Sequence, residues 1–389
     1  MKRILPIIVL SQFLCTSLWF AGNAILPDLA AAMSLDEKFL GNLTSSVQFG
    51  FIAGTLIFAI FTIADKFPPS LVFFLSSLLA AAFNFTLGFE GLSSEFILLS
   101  RFATGFFLAG IYPVGMKIAA DYFQKGLGKS LGLLVGALVL GTAFPHFIRS
   151  YIGEMDWTLV VQLTSGLAVF GGLLMLTLVP NGPFRSKGQA IDLILFFRVF
   201  KVKSFRQAAF GYFGHMWELY AFWAFVPVFL SAYGLKQDMN FDLSFWSFVI
   251  IAVGGLSCAL GGMLSSAIRP LLISRTALSL SGICCFISPI FFLQPYPYIL
   301  LIFMLFWGMV VTADSPMFST LVAQNVPQHQ KGTALTIVNC VGFGITIVSI
   351  QLLNFIHAFV QTEFLLIILG LGPLFGTFFI FKKELSIRN

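Results

Sequence analysis

Charged side chains are scarce. Asp, Glu, Lys and Arg fill only 10% of the 389 positions, against roughly a quarter in soluble domains. So few charges cannot cover a water-facing surface, and at a mean hydropathy of +0.95 most of the chain belongs in hydrocarbon. Other absences narrow the function. The five cysteines, Cys15, Cys258, Cys284, Cys285 and Cys340, all lie in apolar runs, and no two share a paired spacing on an outer loop. A disulfide framework and a zinc site are therefore not expected. The chain has no metal-ligand spacing, no phosphate-binding glycine loop and no Ser/His/Asp arrangement. No extramembrane segment is long enough to fold into a nucleotide-hydrolysing domain, so neither an enzyme nor a cofactor is expected. The formal charge of +6 does not point to nucleic acid, because the basic residues fall in short connections between apolar segments.

What the chain has in quantity is apolar segments of about 20 residues, the length that crosses a bilayer. Bounded by Gly, Pro or charge, twelve spans are expected near 5–29, 39–64, 68–90, 96–120, 127–149, 157–180, 206–232, 241–265, 270–293, 296–322, 331–357 and 361–382. The first follows Met1-Lys-Arg and resembles a secretory signal. Leu14 is too large for the position before a lipidated cysteine, however, so an uncleaved helix is expected. If both termini face the cytoplasm, the loops on that side hold most of the Lys and Arg, and the other side keeps only Lys38, Arg101, Arg149 and Lys236. That bias predicts a multi-pass protein of the cytoplasmic (inner or plasma) membrane with both ends inside. The longest connection, 181–205, is rich in basic residues. Within it the apolar stretch Ala190–Phe200 is too short to span and predicts a helix in the interface.

The two halves repeat. Pro27 matches Pro227, Leu35 matches Leu235 and Gly54 matches Gly254 at one offset, while Gly105 and Pro113 share their spacing with Gly308 and Pro316. Gln124-Lys-Gly126 recurs as Gln330-Lys-Gly332. With these features the chain resembles the major facilitator superfamily of secondary transporters over nearly its whole length. Ala64-Asp65-Lys66 is similar to the core of that family's cytoplasmic loop signature, although Phe61 and Pro68 stand where the signature has glycines. Arg101-Phe-Ala-Thr-Gly105 resembles its intramembrane Arg-x-x-x-Gly element. The Gly-Pro-x-x-Gly-Gly run of drug antiporters is missing from span 5, where Gly136, Gly141 and Pro145 are a weak echo. The resemblance implies an all-α membrane protein with two pseudo-symmetric six-helix bundles, 1–180 and 206–389, joined by the 181–205 linker. It also implies alternating access to a small-molecule substrate, in a monomer.

The candidate residues begin with Glu218, near the middle of span 7. A charge there costs about 2.5 to 3.5 kcal/mol on insertion scales. Tyr212, His215 and Glu218 recur every three residues, so they share one side of a helix, with Phe222 a turn further. A carboxyl that takes and loses a proton at mid-membrane suits coupling to a proton gradient, and an imidazole titrates near neutral pH. The plain alternative is a hydrogen-bonded pin between two helices. Asp314 is the second acid: Pro316 leaves the carbonyl of Thr312 without its helical partner, so Asp314 sits on opened backbone. It reads as a second coupling site or as a cap. Arg101 either snorkels or holds an anionic group of the substrate. Asn23 is the internal polar residue of span 1, and Pro27 and Pro227 predict matched helix breaks flanking a binding region. Trp19, Tyr112, Tyr212, Trp217 and Phe222 would line that region as substrate contacts, or else pack against neighbouring helices. Asp65 would act as a conformational latch on the start of span 11 at Lys331, or be plainly solvated. Gly126, Gly128, Gly132 and Gly136 in span 5, and Gly342 and Gly344 in span 11, would let helices approach closely.

The expected function is secondary active transport of a small polar or zwitterionic organic solute, coupled to protons or another ion. A multidrug or siderophore exporter is the alternative within transport, and a non-transporting receptor or scaffold is the alternative outside it.

Overall fold

In lipid each backbone N–H and C=O must find its partner within the chain, so a segment this apolar is stable there as helix. The computed structural model describes residues 3–33, 35, 39–123, 127–153, 155–185, 198–265, 267–327 and 330–382. Among them, eleven segments are long and apolar enough to cross a membrane, and Ile4–Thr16 is a shorter apolar helix before them. The twelve expected spans are all present. Span 1 comprises Ile4–Thr16, Ala21–Ala24 and Leu26–Met33. Spans 2 and 3 are Phe39–Ile60 and Pro69–Phe85. Span 4 is broken into Ser94–Leu108 and Tyr112–Tyr122, and spans 5 and 6 are Leu127–Ile152 and Thr158–Leu178. Spans 7, 8 and 9 are Lys203–Gln237, Leu243–Leu264 and Pro270–Phe292. Span 10 is broken into Pro297–Ala313 and Ser315–Gln324, span 11 is Lys331–Ile356 and span 12 covers Thr362–Phe381.

Local chemistry sets several of these ends. Pro69, Pro270 and Pro297 open their helices, where a missing N–H costs nothing. The side chains of Ser93 and Asp242 accept the N–H groups of Phe96 and Phe245 at 3.3 and 2.8 Å, capping spans 4 and 8.

The break predicted at Pro27 is present, since span 1 is interrupted at Ile25 and Pro27 stands second in the helix that resumes, but its predicted match in span 7 is not. Span 7 runs unbroken through Pro227, because neighbouring helices bury it on all sides from Leu219 to Val226 and hold it straight past one missing hydrogen bond. Span 1 also opens earlier, in the turn from Ser17 to Phe20. The breaks that match between the halves are those of spans 4 and 10, where Pro113 and Pro316 each stand second in the helix that resumes. The repeat shows in packing as well. A Cβ on Gly105 would collide with the carbonyl oxygen of Val47, and one on Gly308 with that of Ile250, so spans 4 and 10 press against spans 2 and 8 in the same way. Both pairs lie 203 residues apart, three more than the Gly54 and Gly254 offset read from the sequence.

Spans 1–6 pack among themselves, spans 7–12 do likewise, and the two groups meet along two seams. In the first, span 5 lies against span 8. A Cβ on Gly136 would stand 2.6 Å from the carbonyl oxygen of Gly255, and one on Gly132 would stand 2.6 Å from Cα of Gly262. The glycines of span 5 thus serve the close approach their spacing predicts. This seam runs on to the end of the bundle away from the termini, where Ser150 donates to Asp242. In the second, span 2 lies against span 11, with Gln351 Nε2 reaching Ser45 at 3.0 Å and Asn42 at 3.2 Å at the same end. Gly342 of span 11 takes the ring of Tyr212, whereas Gly344 has open space beside it.

The connection between the halves begins clamped to the first. Phe184 N–H donates to the carbonyl of Asp121 at 3.0 Å, and Arg185 reaches the carbonyls of Asp65 and Phe67 at 2.9 Å each. The interfacial helix expected over 190–200 lies, through residue 197, outside the described residues, as does Gln124-Lys-Gly126.

Replacing Gly136 with Leu should part spans 5 and 8 and lower the melting temperature in detergent, an overpacking cost of about 1 to 3 kcal/mol. Gly166→Leu, where an added Cβ meets nothing within 4 Å, should melt like the unaltered protein. Equal melting of the two variants would refute the tight seam.

Candidate functional site

Span 7 is the axis of the second group of helices, and its acid is almost wholly buried at 1% exposure. Its hydrogen bonds all meet one oxygen, Oε1. Ser281 Oγ donates to it, Cys285 Sγ approaches at 3.3 Å and the indole Nε1–H of Trp307 donates at 2.7 Å. Ser281 and Cys285 stand four apart on span 9 and so share a face, while Trp307 comes from span 10. No Lys, Arg or His lies within ion-pair distance of Glu218 among the described residues. Phe222, one turn along span 7, packs against Trp307 with the rings tilted and 4.7 Å between centroids, and helps to fix the indole. The partners of Glu218 thus belong to spans 9 and 10, with none from the first six helices.

Asp314 occupies the break of span 10, equally buried. His215 lies between the broken helix and its own: Nδ1 is 2.8 Å from Asp314 Oδ1, and Nε2 is 2.8 Å from the hydroxyl of Ser315. The Nδ1 approach is at ion-pair distance but not at hydrogen-bonding geometry, and neither oxygen of Asp314 takes a hydrogen bond from a described residue. An imidazole that carries its proton on Nδ1 faces the carboxylate with it and accepts the serine hydroxyl at Nε2. The carbonyl of Thr312, which Pro316 deprives of a helical donor, is met by Cys258 Sγ at 3.1 Å. Two carboxyl groups, on spans 7 and 10, therefore tie the same two helices together.

Arg101 does not snorkel; it is fully buried. Its guanidinium donates to the carbonyls of Leu18 at 3.1 Å and Trp19 at 2.5 Å, and to Asn84 Oδ1 at 3.0 Å. The first two are the carbonyls exposed by the break of span 1, so a five-donor side chain caps an opened helix. Only Nε lacks a partner. The amide of Asn84 turns its nitrogen to Thr164 and Ser165 of span 6, at 3.1 and 3.0 Å. Sequence alone gave no sign of Asn84 as the relay, nor of Ser281, Cys285 and Trp307 as the cage of Glu218. An Asn, a Ser or a Trp in an apolar helix is common, and only the fold brings these together.

Between the halves stands a cluster of aromatic rings. Trp19, in the break of span 1, packs on Phe51 of span 2 at 4.9 Å, on Tyr220 of span 7 at 5.8 Å and on Phe343 of span 11 at 5.7 Å. Phe20 meets Trp223 edge-on at 6.2 Å. Tyr112, first residue of the resumed span 4, and Tyr212 and Tyr220 of span 7 are buried as well. Gln48, on the face of span 2 that carries Phe51, has neither amide atom paired, and the indole N–H groups of Trp19 and Trp223 are unpaired too. Asn23 donates to Thr44 at 2.7 Å and keeps its Oδ1 unpaired. Trp217 is elsewhere: its N–H donates to the carbonyl of Ile368 at 3.2 Å, fastening span 7 to span 12.

Asp65 pairs with Lys117 of span 4 at 2.8 Å, and Lys117 also reaches Asp121 at 3.6 Å. The carboxylate of Asp65 is thus paired within the first half. Among the described residues no group of three His, Cys, Asp or Glu side chains is placed to hold a metal ion.

Three comparisons bear on this architecture. The family description "Major Facilitator Superfamily" matches residues 8–350. Among solved structures, the nucleoside transporter NupG shares 14% identity at a TM-score of 0.74, covering 98% of this chain and 100% of its own. The human organic anion transporter MFSD10 shares 13% at 0.74, covering 97% and 99%. The proton:xylose symporter XylE, bound to a bromodeoxyglucose, shares 12% at 0.75, covering 97% and 94%. At these identities the likeness is one of fold. No curated protein sequence matches the chain significantly.

Arg101→Lys should destabilise the protein by roughly 3 kcal/mol, since an ammonium cannot reach both carbonyls and Asn84, and unpaired buried acceptors are left behind. A chemical melt reads this directly. A lysine variant as stable as the parent would show that the guanidinium does not hold the break.

Proposed function

The chain belongs to the Major Facilitator Superfamily, and from that premise we propose that it is a proton-coupled secondary transporter of a small polar or zwitterionic organic solute. It works by alternating access between spans 1–6 and spans 7–12. The observation that carries this reading is Glu218, a buried carboxyl held by three uncharged donors and no cation. An acid paired to arginine is locked in its ionised form, whereas one caged by Ser, Cys and Trp can hold a proton or give it up with its neighbours still in place. His215 and Asp314 provide a second exchangeable pair on the same two helices, so a change of protonation alters what joins span 7 to span 10. The resemblance to a proton:xylose symporter agrees with coupling of this kind.

The solute would meet the aromatic cluster between the halves. Unpaired amide atoms of Gln48 and Asn23 and the indole N–H groups of Trp19 and Trp223 offer donors and acceptors there, beside Tyr112, Tyr212 and Tyr220. Trp217 and Phe222 support this wall from behind. One observation favours a second reading, an exporter of larger aromatic compounds: the donors of Arg101 are spent on backbone carbonyls, so it offers little to an anionic group. With both termini in the cytoplasm, as the distribution of Lys and Arg argues, the two seams close the outer end. Asp65, paired with Lys117, would then latch to the start of span 11 only after the inner end has closed.

The test starts from purified protein screened by thermal shift against a metabolite panel, then assayed in liposomes under an imposed pH gradient. Glu218→Gln keeps the acceptor oxygen and removes the exchangeable proton. Gradient-driven uptake should fall at least about tenfold, a barrier change of about 1.4 kcal/mol. Solute counterflow at equal pH, which needs no net proton movement, should persist. Uptake unchanged in Glu218→Gln would remove the proton role, and loss of both activities would make Glu218 a solute contact or a structural pin.

A further inference from the structure

The cage of Glu218 has an outer side. Spans 9 and 10 part on the surface of the second helix group to leave a groove of about 530 Å³, within the size range of ligand sites. Its rims are Ile283 of span 9 and Ile302 of span 10, the latter 65% exposed, and its buried floor is Cys284 and Phe303. Apart from that thiol and the hydroxyl of Tyr298, every lining side chain is hydrocarbon. We propose that this groove binds one acyl chain of a membrane phospholipid, from the leaflet at the end of the bundle away from the termini.

Depth selects the occupant. The groove begins at Tyr298, which stacks on Tyr296 at 5.7 Å beside the start of span 10, where amphipathic rings sit at headgroup level. It ends at Leu280 and Phe306, level with the middle of the spans. The eight-residue rise from Tyr298 to Phe306 is about 12 Å, close to the half-thickness of a hydrocarbon core of about 30 Å. A chain anchored at the headgroup therefore fits the groove from end to end. A groove left unfilled would forfeit dispersion contacts along both walls, and in a bilayer the molecule of that length and chemistry is the lipid tail.

The floor gives the site its consequence. Cys284 adjoins Cys285, a donor to Glu218, and Phe303 stacks on Phe291 at 4.1 Å and touches Trp307 at 5.6 Å, the other ring in the cage. An acyl chain in the groove braces span 9 and span 10 from outside at the height where both hold Glu218 from inside.

The protein reconstituted in nanodiscs of palmitoyl-oleoyl phosphatidylglycerol, then released gently into the mass spectrometer, should carry a bound phospholipid. Filling the groove with Ile283→Phe and Ile302→Phe together should abolish that adduct, while Leu272→Phe, exposed on span 9 but outside the groove, should keep it. On the unaltered protein, dioctanoyl phosphatidylglycerol offered at equal mole fraction should not be retained, because its chains are too short to run the length of the groove to Leu280 and Phe306. Retention by the groove-filled protein, or retention of both lipids alike, would overturn the assignment whatever the solute proves to be.

Discussion

A carboxyl group placed in hydrocarbon has to be given hydrogen-bond donors by the helices around it, because water is not there to do so. That requirement organises the second half of this protein. Ser281 and Cys285 fix the rotation of span 9 about its axis, Trp307 fixes that of span 10, and Phe222 holds the indole in place. Lower on the same helices His215 and Ser315 hold the break at Asp314. Span 10 is thus joined to span 7 by polar contacts at two heights, and span 9 at one.

The repeat makes the chemistry of the first half intelligible by contrast. Moved back by the 203 residues that relate the packing of spans 2 and 4 to that of spans 8 and 10, His215 falls on Gln12 and Glu218 on Cys15. Gln12 presses on Gly115 of the broken span 4 as His215 packs on Phe318 of the broken span 10, again 203 residues on. Cys15 shares a hydrogen bond with Ser77 of span 3, much as Glu218 takes one from Ser281 of span 9. The first half therefore has the geometry of the second without its acids. The two mid-membrane carboxyls, Glu218 and Asp314, thus lie in one half of a symmetric frame, and the positions that match His215 and Glu218 in the other are uncharged.

Much of the architecture was legible in the sequence because lipid imposes a simple rule. Twelve apolar stretches, their charged ends and the glycine spacing of span 5 each read directly into helices and seams. Helix breaks were less legible. A proline weakens one hydrogen bond, but whether the helix opens depends on its neighbours, and Pro227 is held straight while Pro113 and Pro316 are not. Side-chain pairings across the fold were least legible. Glu218 announced itself by cost, but its donors are residue types too common in membrane helices to be noticed before the fold places them. Arg101 was visible for the same reason as Glu218, yet two of its partners are backbone carbonyls, which carry no signature in a sequence, and the third is an asparagine amide.

The guanidinium of Arg101 also bears on how the first half moves. A helix interrupted in mid-membrane would ordinarily gain a degree of freedom, since its two pieces can swivel about the gap. Here the gap is riveted to span 4 by Arg101, and through Asn84 to spans 3 and 6. The four helices are thereby cross-linked without a covalent bond, and a displacement of one piece of span 1 has to carry the whole assembly with it. An interruption that elsewhere would act as a joint is here a stiffener, so relative motion is directed to the two glycine-lined and amide-lined seams between the halves.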